Sequence, residues 1–333
     1  MGHDEFRYER LARALEALIE QGVYRAGERM PSVRALARDQ RLSVSTVLHA
    51  LRHLEARGAI EARPQSGYFV RARRPIREPL AAGHKALPAV TVRVSDRIRD
   101  LQARPGIVRF GPAVPAAPLL PLDALGRAFA AASRHAGSLL AGTGYDGPID
   151  EALARQISRQ SLRWGTGLDP LELVATHGCA EALSIALRAT TQPGDAVAVE
   201  SPGYHLMLEL LESMGLRALE IPCDGRTGMS IEALEAALHE ERIAACLLSA
   251  NASNPSGATM PEPRKAQLAT LLAERRIPLI EDDTVGELHF TGERPRPVKA
   301  FDTAGNVLWC GSFSKTLSPQ LRLGWIAAGR HLE

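Results

Sequence analysis

The sequence predicts an α/β main lobe, with a mostly parallel sheet and helices on both faces, preceded by a winged helix-turn-helix domain. Three observations lead to this prediction. At 333 residues the chain is too long for one ordinary domain. Its first seventy residues contain three short helical patterns followed by a hairpin pattern. Beyond them, short apolar runs alternate with helical segments, which is typical of parallel sheets whose strands are linked by helices.

Composition excludes several classes of protein. With 45% hydrophobic residues the chain can bury a core, which excludes a disordered protein. No apolar run approaches the ~20 residues of a membrane span, and the charged amino terminus lacks the apolar stretch of a signal peptide. Four scattered cysteines without a CxxC pair predict buried, reduced thiols of a cytoplasmic protein, rather than a metal site or a disulfide framework. They are Cys179, Cys223, Cys246 and Cys310.

Charge is distributed unevenly along the chain. Residues 1–75 hold 14 arginines, no lysine and 9 acidic residues, a balance of +5. The remainder holds 26 basic and 29 acidic residues, a balance of −3. This asymmetry predicts an anionic partner for the first part of the chain only.

The helical patterns of the first domain have recognisable starts and ends. The first ends before Gly22, Ser32 caps the second, and Ser43 opens the third. Residues 59–70 alternate weakly around a turn, which predicts a two-stranded hairpin, the wing. The predicted inner faces comprise Leu11, Leu15, Leu18 and Ile19 in the first helix, Val33, Leu36 and Ala37 in the second, and Val44, Val47, Leu48, Leu51 and Leu54 in the third.

The third helix carries short polar side chains that can approach bases and phosphates, and arginines lie nearby. Neutralised phosphates supply most of the affinity of such sites. We therefore expect a DNA interface, while a packing or dimerisation module with a solvated arginine face remains the alternative. The candidate contacts are Ser43, Ser45, Thr46 and His49 on the third helix, Arg34 on the second, and Arg63 beside the wing.

A longer pattern sharpens this prediction. It consists of the segments Gly22–Ala37, Leu42–Val47, Leu54–Gly58 and Arg63–Val70. Together they closely resemble the DNA-binding domain of GntR-family regulators. The resemblance implies that the wing at Gly67 also contacts DNA, with Arg34, Ser43, Ser45 and Thr46, and that Tyr68, Val47 and Leu51 belong to the core.

The domain organisation follows from a change in composition. Residues 1–72 contain the winged helix-turn-helix pattern. Residues 73–99 are rich in arginine, proline and alanine without sustained periodicity, which predicts a linker. Residues 100–333 then form the predicted main lobe.

Strands and helices alternate along the main lobe. The predicted strands are Leu173–Thr176, Ala196–Glu200, Ala218–Pro222, Ala245–Ser249, Pro278–Glu281, Val307–Cys310 and Leu321–Ala328. The predicted helices are Leu122–Ser133, Glu151–Trp164, Glu181–Thr190, Tyr204–Met214, Ile231–Glu240 and Glu262–Glu274. Ligands of such sheets bind where the strands end.

Small and polar residues follow four of these strands. His177-Gly178-Cys179-Ala180 opens a helix, where glycine and free N–H groups suit a phosphate. Asn254-Pro255-Ser256-Gly257 is, on its own, an ordinary turn. The acids Glu281-Asp282-Asp283 are metal ligands, a hydrogen-bonded cofactor anchor or solvated loop charges. Ser312-Phe313-Ser314-Lys315 places one of only four lysines in the chain at a strand end.

Together these segments suit pyridoxal phosphate (PLP), and we expect no metal. A lysine amine condenses with the PLP aldehyde, a carboxylate pairs with the ring nitrogen, and an amide donates to the ring oxygen. Serine, arginine and helix N–H groups hold the phosphate. Tyr204, in Ser201-Pro202-Gly203-Tyr204, is either a ring-stacking residue or a packed tyrosine at a helix start.

The order and spacing of these residues over 110–330 resemble fold-type I aminotransferases. The resemblance implies that Lys315 is the catalytic lysine that forms the Schiff base, that Asp282 pairs with the ring nitrogen, and that Asn254 bonds the ring oxygen. It further implies phosphate contacts by Gly178, Cys179, Ala180, Ser312 and Arg322, ring stacking by Tyr204, and a contact of Tyr145 with the phosphate of a neighbouring subunit.

The whole arrangement resembles the MocR subgroup of GntR regulators. That resemblance implies double-stranded DNA as a partner, PLP in the main lobe, and a homodimer. Thr284 and Val285 stand where the family has a tyrosine bonded to the ring oxygen; Thr284 would substitute in part and Val285 would not. We expect this change to weaken transamination more than cofactor binding. Residue 333 ends the chain before the family's small C-terminal domain and its substrate-binding arginine, which predicts a fragment or a shortened regulator without the amino-acid site.

Three functions remain open at this stage. The leading hypothesis is a DNA-binding transcriptional regulator that binds PLP and senses PLP or an amine or amino-acid effector. The second is an aminotransferase with an added DNA-binding domain, for which we expect weak or absent transamination. The third is a DNA-binding dimer with a vestigial cofactor site.

Overall fold

The structure, a computed structural model, describes residues 6–64, 66–71, 88–91, 113–135, 137, 141, 147–290 and 292–332. The chain divides into two compact units, Met1–Glu78 and Pro79–Glu333. Most of the predicted linker lies outside the described residues. Its described part contains β3 (Val90–Thr91), which pairs antiparallel with a strand of the second unit. These two residues are β-branched, which favours the extended conformation.

The first unit consists of three helices and a hairpin, as predicted. The hydroxyls of Ser32 and Ser43 accept hydrogen bonds from backbone N–H groups at 3.2 and 3.1 Å, so both predicted caps are present. In the wing, Arg63 lies opposite Gly67, whose φ of 97° favours glycine. The elements are α1 (Arg7–Glu20), α2 (Val33–Asp39), α3 (Val44–Ala56), β1 (Ile60–Arg63) and β2 (Gly67–Val70).

The core of the first unit lies between α1, α3 and the hairpin. Val47 and Leu51 are fully buried in it, and Tyr68 packs against its edge, so all three predicted core residues have the expected environment. Val44 was expected to face inward but is 53% exposed. It lies in the first turn of α3, and the buried face of that helix begins only at Val47.

Helices and strands alternate along the second unit. Its helices are α4 (Leu122–Ser133), α5 (Glu151–Ser161), α6 (Cys179–Thr190), α7 (His205–Ser213), α8 (Ile231–Glu240) and α9 (Glu262–Glu274). Its strands after β3 are β4 (Leu173–Thr176), β5 (Ala196–Ser201), β6 (Arg217–Asp224), β7 (Gly228–Met229), β8 (Ile243–Leu248), β9 (Leu279–Asp282), β10 (Val307–Ser312) and β11 (Gly324–Ala327).

Within the described residues, nine strands form one mixed sheet. The path is β3-β6-β5-β8-β9-β10-β11-β4, and β7 pairs with β6. The five strands from β6 to β10 are parallel, while β3, β11, β4 and β7 pair antiparallel. This confirms the predicted mostly parallel sheet. The parallel strands are continuous apolar runs because both of their faces are covered.

The two faces of the sheet have separate cores. On one face, side chains of α6 and α7 such as Leu187 and Leu211 are fully buried. On the other, side chains of α8 and α9 such as Leu234 and Leu268 are fully buried. Helices therefore cover both faces, as expected, and the parallel strands end together at one edge of the sheet.

Several predicted boundaries move by a few residues. Helix α5 ends at Ser161 rather than Trp164, and α6 begins two residues before the expected Glu181. Strand β11 begins at Gly324 rather than Leu321, because Arg322 has a left-handed backbone (φ 49°) that an extended strand does not accommodate. In the described part of the chain, no helix is both long and apolar enough to cross a membrane.

Candidate functional site

The carboxyl ends of β9 and β10, the start of α6 and the loops after β5 and β8 enclose a cavity of about 200 Å³. Of the ten residues predicted to bind a cofactor, eight line it. Gly178 lies directly before the lining residue Cys179, and Tyr145 lies outside the described residues. The eight are Cys179, Ala180, Tyr204, Asn254, Asp282, Ser312, Lys315 and Arg322.

One end of the cavity is built by backbone that only glycine permits. Gly178 is the residue before α6 and has a φ of 89°. A Cβ at Gly178 would lie 2.7 Å from Nη2 of Arg322, which donates a hydrogen bond to the His177 carbonyl at 2.6 Å. The first N–H groups of a helix have no partner within the helix. This end therefore combines a guanidinium with a helix amino terminus, which suits a phosphate.

Lys315 lines the cavity from the loop that follows β10. Burial lowers the pKa of its amine, while the negative charge of Asp282 opposes that change. A lowered pKa increases the share of neutral amine, which is the nucleophilic form. The environment thus favours the chemistry predicted for this lysine.

Of the three consecutive acids, only Asp282 lines the cavity. Glu281 is fully buried and accepts hydrogen bonds from the N–H groups of Val298 and Lys299 at 2.8 and 3.1 Å. Asp283 is buried and forms an ion pair with Arg294. The two outer acids therefore fasten a loop rather than hold a ligand. Among the residues that the structure describes, no cluster of three or more His, Cys, Asp or Glu side chains fits a metal ion.

The carboxylate of Asp282 has two neighbours with polar hydrogens. Its Oδ1 accepts a hydrogen bond from the Thr284 hydroxyl at 2.7 Å and another from the Thr284 N–H at 3.1 Å. The thiol of Cys179 donates to the same oxygen at 3.4 Å. Burial, followed by the charge of Asp282, raises the pKa of Cys179 well above its ordinary value, so the thiol keeps its proton. All four cysteines are free and buried, as predicted.

Tyr204 and Asn254 stand on the loops that follow β5 and β8. Tyr204 directly precedes α7 and is half-buried, and burial together with the charge of Asp282 raises the pKa of its phenol. The phenol is therefore neutral at physiological pH. Thr284 and Val285, which occupy the place of the expected tyrosine, also line the cavity.

Glu200 supports the site from outside the cavity lining, and the sequence did not single it out. It is 5% exposed at the end of β5, and it accepts hydrogen bonds from the Ser249 N–H at 2.9 Å and the Ser253 hydroxyl at 3.0 Å. It thereby ties the loop that carries Asn254 to the strand that leads to Tyr204. The available signal was an acid that interrupts the apolar run of β5.

The predicted DNA contacts of the first unit lie at its surface. Six of the seven are exposed and Thr46 is half-buried. The hydroxyl of Ser43 caps α3 and bonds the hydroxyls of Ser45 and Thr46 at 2.8 and 2.7 Å. The ring of His49 stacks on Tyr8, with centroids 4.2 Å apart. The six exposed predicted contacts are Arg34, Ser43, Ser45, His49, Arg63 and Gly67.

Two further residues share this surface of α3. Arg52 and His53, which are not among the predicted contacts, border the same shallow depression as Ser45 and His49. Their spacing from His49, three and four residues along a helix, was the signal that places them on one face.

Comparisons with known proteins match both units. Residues 7–70 match the family of bacterial regulatory proteins named gntR, and residues 130–332 match aminotransferase class I and II. The chain is 40% identical over 328 residues to the uncharacterized HTH-type transcriptional regulator YdcR of Escherichia coli, covering 98% of this chain and 70% of that protein. It is 38% identical over 330 residues to the regulator YjiR of the same organism, with the same two shares.

Solved aminotransferases are similar to the second unit. Pyrococcus horikoshii kynurenine aminotransferase, in complex with PMP, has a TM-score of 0.63 and 27% identity over 70% of this chain. Thermus thermophilus alpha-aminoadipate aminotransferase, complexed with N-(5'-phosphopyridoxyl)-L-leucine, has a TM-score of 0.59 and 27% identity over 72% of this chain. The chain spans 59% of the length of each of these two enzymes.

The buried Glu200 predicts a pH-dependent stability. Burial raises its pKa from 4.5 to about 7. The folded protein therefore holds this proton more tightly than the unfolded chain does, so the stabilisation is complete below about pH 4.5 and is lost as the pH rises to about 7. The variant Glu200→Gln is uncharged at every pH. It should therefore remove the part of the decrease in unfolding free energy with rising pH that Glu200 causes, which is at most about 3 kcal/mol.

The measurement is urea unfolding at a series of pH values between about 5 and 8. Glu281, whose pKa burial and Asp283 raise to about 8, contributes a decline of the same sign that should remain in the variant. The same substitution at half-buried Glu220, which accepts a hydrogen bond from Ser201, is the matched control. An unchanged slope in Glu200→Gln would show that Glu200 does not titrate in this range.

Proposed function

The chain belongs to the MocR type of GntR regulators, in which a GntR domain precedes an aminotransferase class I and II domain, and from this membership we propose that it is a DNA-binding transcriptional regulator that holds PLP. The observation that carries the PLP part of the proposal is the shared cavity, which is lined by eight of the ten cofactor residues predicted from the sequence. They come from segments scattered between residues 179 and 322.

The residues of this cavity fit PLP by their chemistry. A Cβ at Gly178 would fill the space beside the Arg322 guanidinium, so the glycine leaves that space to a phosphate. Asp282 supplies a carboxylate for the ring nitrogen and Asn254 supplies an amide for the ring oxygen. When bound, PLP supplies an aldehyde that reacts with amines and a ring that withdraws electrons.

Each side chain has a separate task in this proposal. Lys315 offers its amine to the aldehyde, and burial favours the neutral form of that amine. The phenol ring of Tyr204 provides an apolar face for stacking, and Ser312 offers a hydroxyl to the phosphate. The contact of Tyr145 with a neighbouring subunit's phosphate stays a prediction.

The environment of Asp282 favours regulation over transamination. Val285 has no hydroxyl to offer the ring oxygen, and the single hydroxyl hydrogen of Thr284 is donated to Asp282. We therefore propose that the Thr284 hydroxyl serves Asp282 rather than the ring oxygen. We propose that amines or amino acids compete with Lys315 for the aldehyde, and that the regulator senses this exchange or the presence of PLP itself.

The similarity to solved aminotransferases supports transamination as a second candidate function. Turnover of an amino acid in the presence of PLP, above the rate of free PLP and lost in Lys315→Ala, would favour it. A third candidate, a DNA-binding dimer with a vestigial site, requires that no PLP binds.

The first unit supplies the proposed DNA interface. Its third helix presents a polar surface, and Arg34 on α2 is exposed with no ion pair among the described residues. We propose double-stranded DNA as the partner and the cytoplasm as the location. Specific sequence reading would come from Ser45, Thr46 and His49, and phosphate contacts from the arginines and the wing at Gly67.

We propose that the regulator is a homodimer that uses α4. All residues of this helix except Leu125 are exposed, although Phe129 and Leu122 are large and apolar, at 60% and 47% exposure. An amphipathic helix that buries none of its residues against the described part of the chain has an apolar face available for another surface. A second copy of the chain supplies it in this proposal.

The cofactor proposal predicts a visible absorbance band. Wild-type protein incubated with PLP should retain the band through gel filtration, and borohydride should attach the cofactor to the peptide that contains Lys315. Lys315→Ala should lose both signals, because it removes the amine. Lys315→Arg, which keeps the positive charge, should lose them as well. A band that survives in either variant would contradict the role of Lys315, and a wild type without any band would contradict PLP binding.

The DNA proposal predicts a salt-dependent affinity. Arg34→Ala should weaken binding to a mixed-sequence duplex about tenfold and reduce the slope of log K against log salt by about 1, as expected for one lost phosphate contact. Fluorescence anisotropy at several salt concentrations measures both quantities. Arg38→Ala, on the same helix, is the matched control because Arg38 already pairs with Asp39. Equal effects of the two substitutions would contradict a specific contact by Arg34.

The dimer proposal predicts an effect of charge on α4. Phe129→Asp should shift the protein from dimer to monomer in sedimentation velocity, because burying an unpaired carboxylate at an apolar interface is unfavourable. Leu171→Asp makes the same kind of change at another exposed apolar side chain and should leave the dimer intact. A Phe129→Asp variant that remains dimeric at low concentration would exclude α4 from the interface.

A further inference from the structure

Among the described residues, every hydrogen bond to the Asp282 carboxylate is directed to one of its two oxygens. Oδ1 accepts from the Thr284 hydroxyl, the Thr284 N–H and the Cys179 thiol, at 2.7, 3.1 and 3.4 Å. None of the described residues donates to Oδ2. A carboxylate held in this way through one oxygen cannot rotate about its Cβ–Cγ bond without breaking several hydrogen bonds.

The direction of these hydrogen bonds follows from the chemistry of the groups. An ionised carboxylate only accepts, so the hydroxyl of Thr284 and the thiol of Cys179 must both donate. The high pKa of Cys179, which burial causes, keeps the thiol protonated and able to donate. Thr284 lies two residues after Asp282, whereas Cys179 comes from the start of α6, so the carboxylate is fixed from two separate elements.

We propose that Thr284 and Cys179 are positioning residues that fix the Asp282 carboxylate through Oδ1 and thereby make Oδ2 the oxygen that pairs with the ring nitrogen of bound PLP. This inference rests on the proposed binding of PLP. It assigns a task to Thr284, which the sequence marks only as a departure from the family. It also gives a task to the side chain of Cys179, in addition to the phosphate contact predicted for that residue.

The geometry separates this role from two others. Thr284 has one hydroxyl hydrogen, and its donation to Oδ1 at 2.7 Å leaves none for the ring oxygen of the cofactor. Cys179 is not placed as a nucleophile, because its thiol is buried and protonated. Both residues therefore act on the cofactor through Asp282.

The test uses PLP isotopically labelled at its ring nitrogen and added to the whole chain. The nitrogen resonance reports directly whether the ring nitrogen is protonated, and an absorbance titration measures the dissociation constant of PLP. Wild-type protein should show a protonated ring nitrogen at mildly alkaline pH. Thr284→Val, which keeps the shape but removes the hydroxyl, should shift the resonance toward the unprotonated position and weaken PLP binding about tenfold.

Conservative variants distinguish positioning from packing. Thr284→Ser restores a hydroxyl and should recover most of the wild-type resonance and affinity. Cys179→Ala should change both measurements in the same direction as Thr284→Val but less, because a thiol is the weaker donor. Thr270→Val is the matched control, since the hydroxyl of Thr270 bonds only its own helix at the carbonyl of Ala266. Thermal melting without PLP checks that each variant folds.

The outcomes separate this inference from the proposed function. If wild-type protein binds no PLP, the proposed function fails and the inference fails with it. If Asp282→Asn changes the nitrogen resonance but Thr284→Val and Cys179→Ala do not, PLP binding stands and the positioning role is wrong. If Thr284→Ser behaves like Thr284→Val, the effect comes from altered packing, and the inference is again wrong.

Discussion

The close approach of Gly178 to Gly324 determines the geometry of the cavity at the start of α6. A Cβ at Gly324 would lie 2.7 Å from the carbonyl carbon of Gly178, so β11 and the start of α6 meet backbone to backbone. Arg322, two residues before Gly324, reaches back to the His177 carbonyl. Strand β11 also pairs with β10, which leads into the loop of Lys315. The helix amino terminus, the guanidinium and the lysine are thus positioned by one contact between two glycines.

A buried polar network supports the other side of the site. The amide of Asn251 donates to Asp283 at 2.9 Å and accepts from Lys265 at 2.6 Å, and Lys265 is itself fully buried. The indole of Trp309 donates to the same Asp283 at 3.1 Å. Burying such charges is unfavourable unless each one is paired. Removal of one partner destabilises the fold because it leaves a buried charge without a counter-charge. Several elements hold the Asp283 carboxylate, and this also fixes the backbone of its neighbour Asp282. The side chain of Asp282 is therefore not needed to hold that backbone in place.

The sequence predicts the framework of this protein better than its contacts. Continuous apolar runs such as residues 196–199 predict buried parallel strands, and topology then places Asp282 and Lys315 at one edge of the sheet. The role of Thr284 does not follow in this way, because it depends on which neighbour its hydroxyl faces. Glu200 was missed because its partners lie 49 and 53 residues away along the chain. Local pattern also gives no warning of the left-handed backbone at Arg322, which the close packing around Gly178 requires.

The wing arginine has a consequence for the ion exchange that accompanies DNA binding. Arg63 lies over the ring of Phe69 and pairs with Glu61 at 2.7 Å, so its charge is already balanced within the wing. In the proposed phosphate contact, Arg63 exchanges one anionic partner for another, and Glu61 is left beside the polyanion. Without the Arg63 hydrogen bond, which lowers the pKa of Glu61, that pKa rises toward its ordinary value, and the carboxylate is still ionised at neutral pH. Arg63 therefore contributes less to the release of salt cations than an arginine without an acidic partner does.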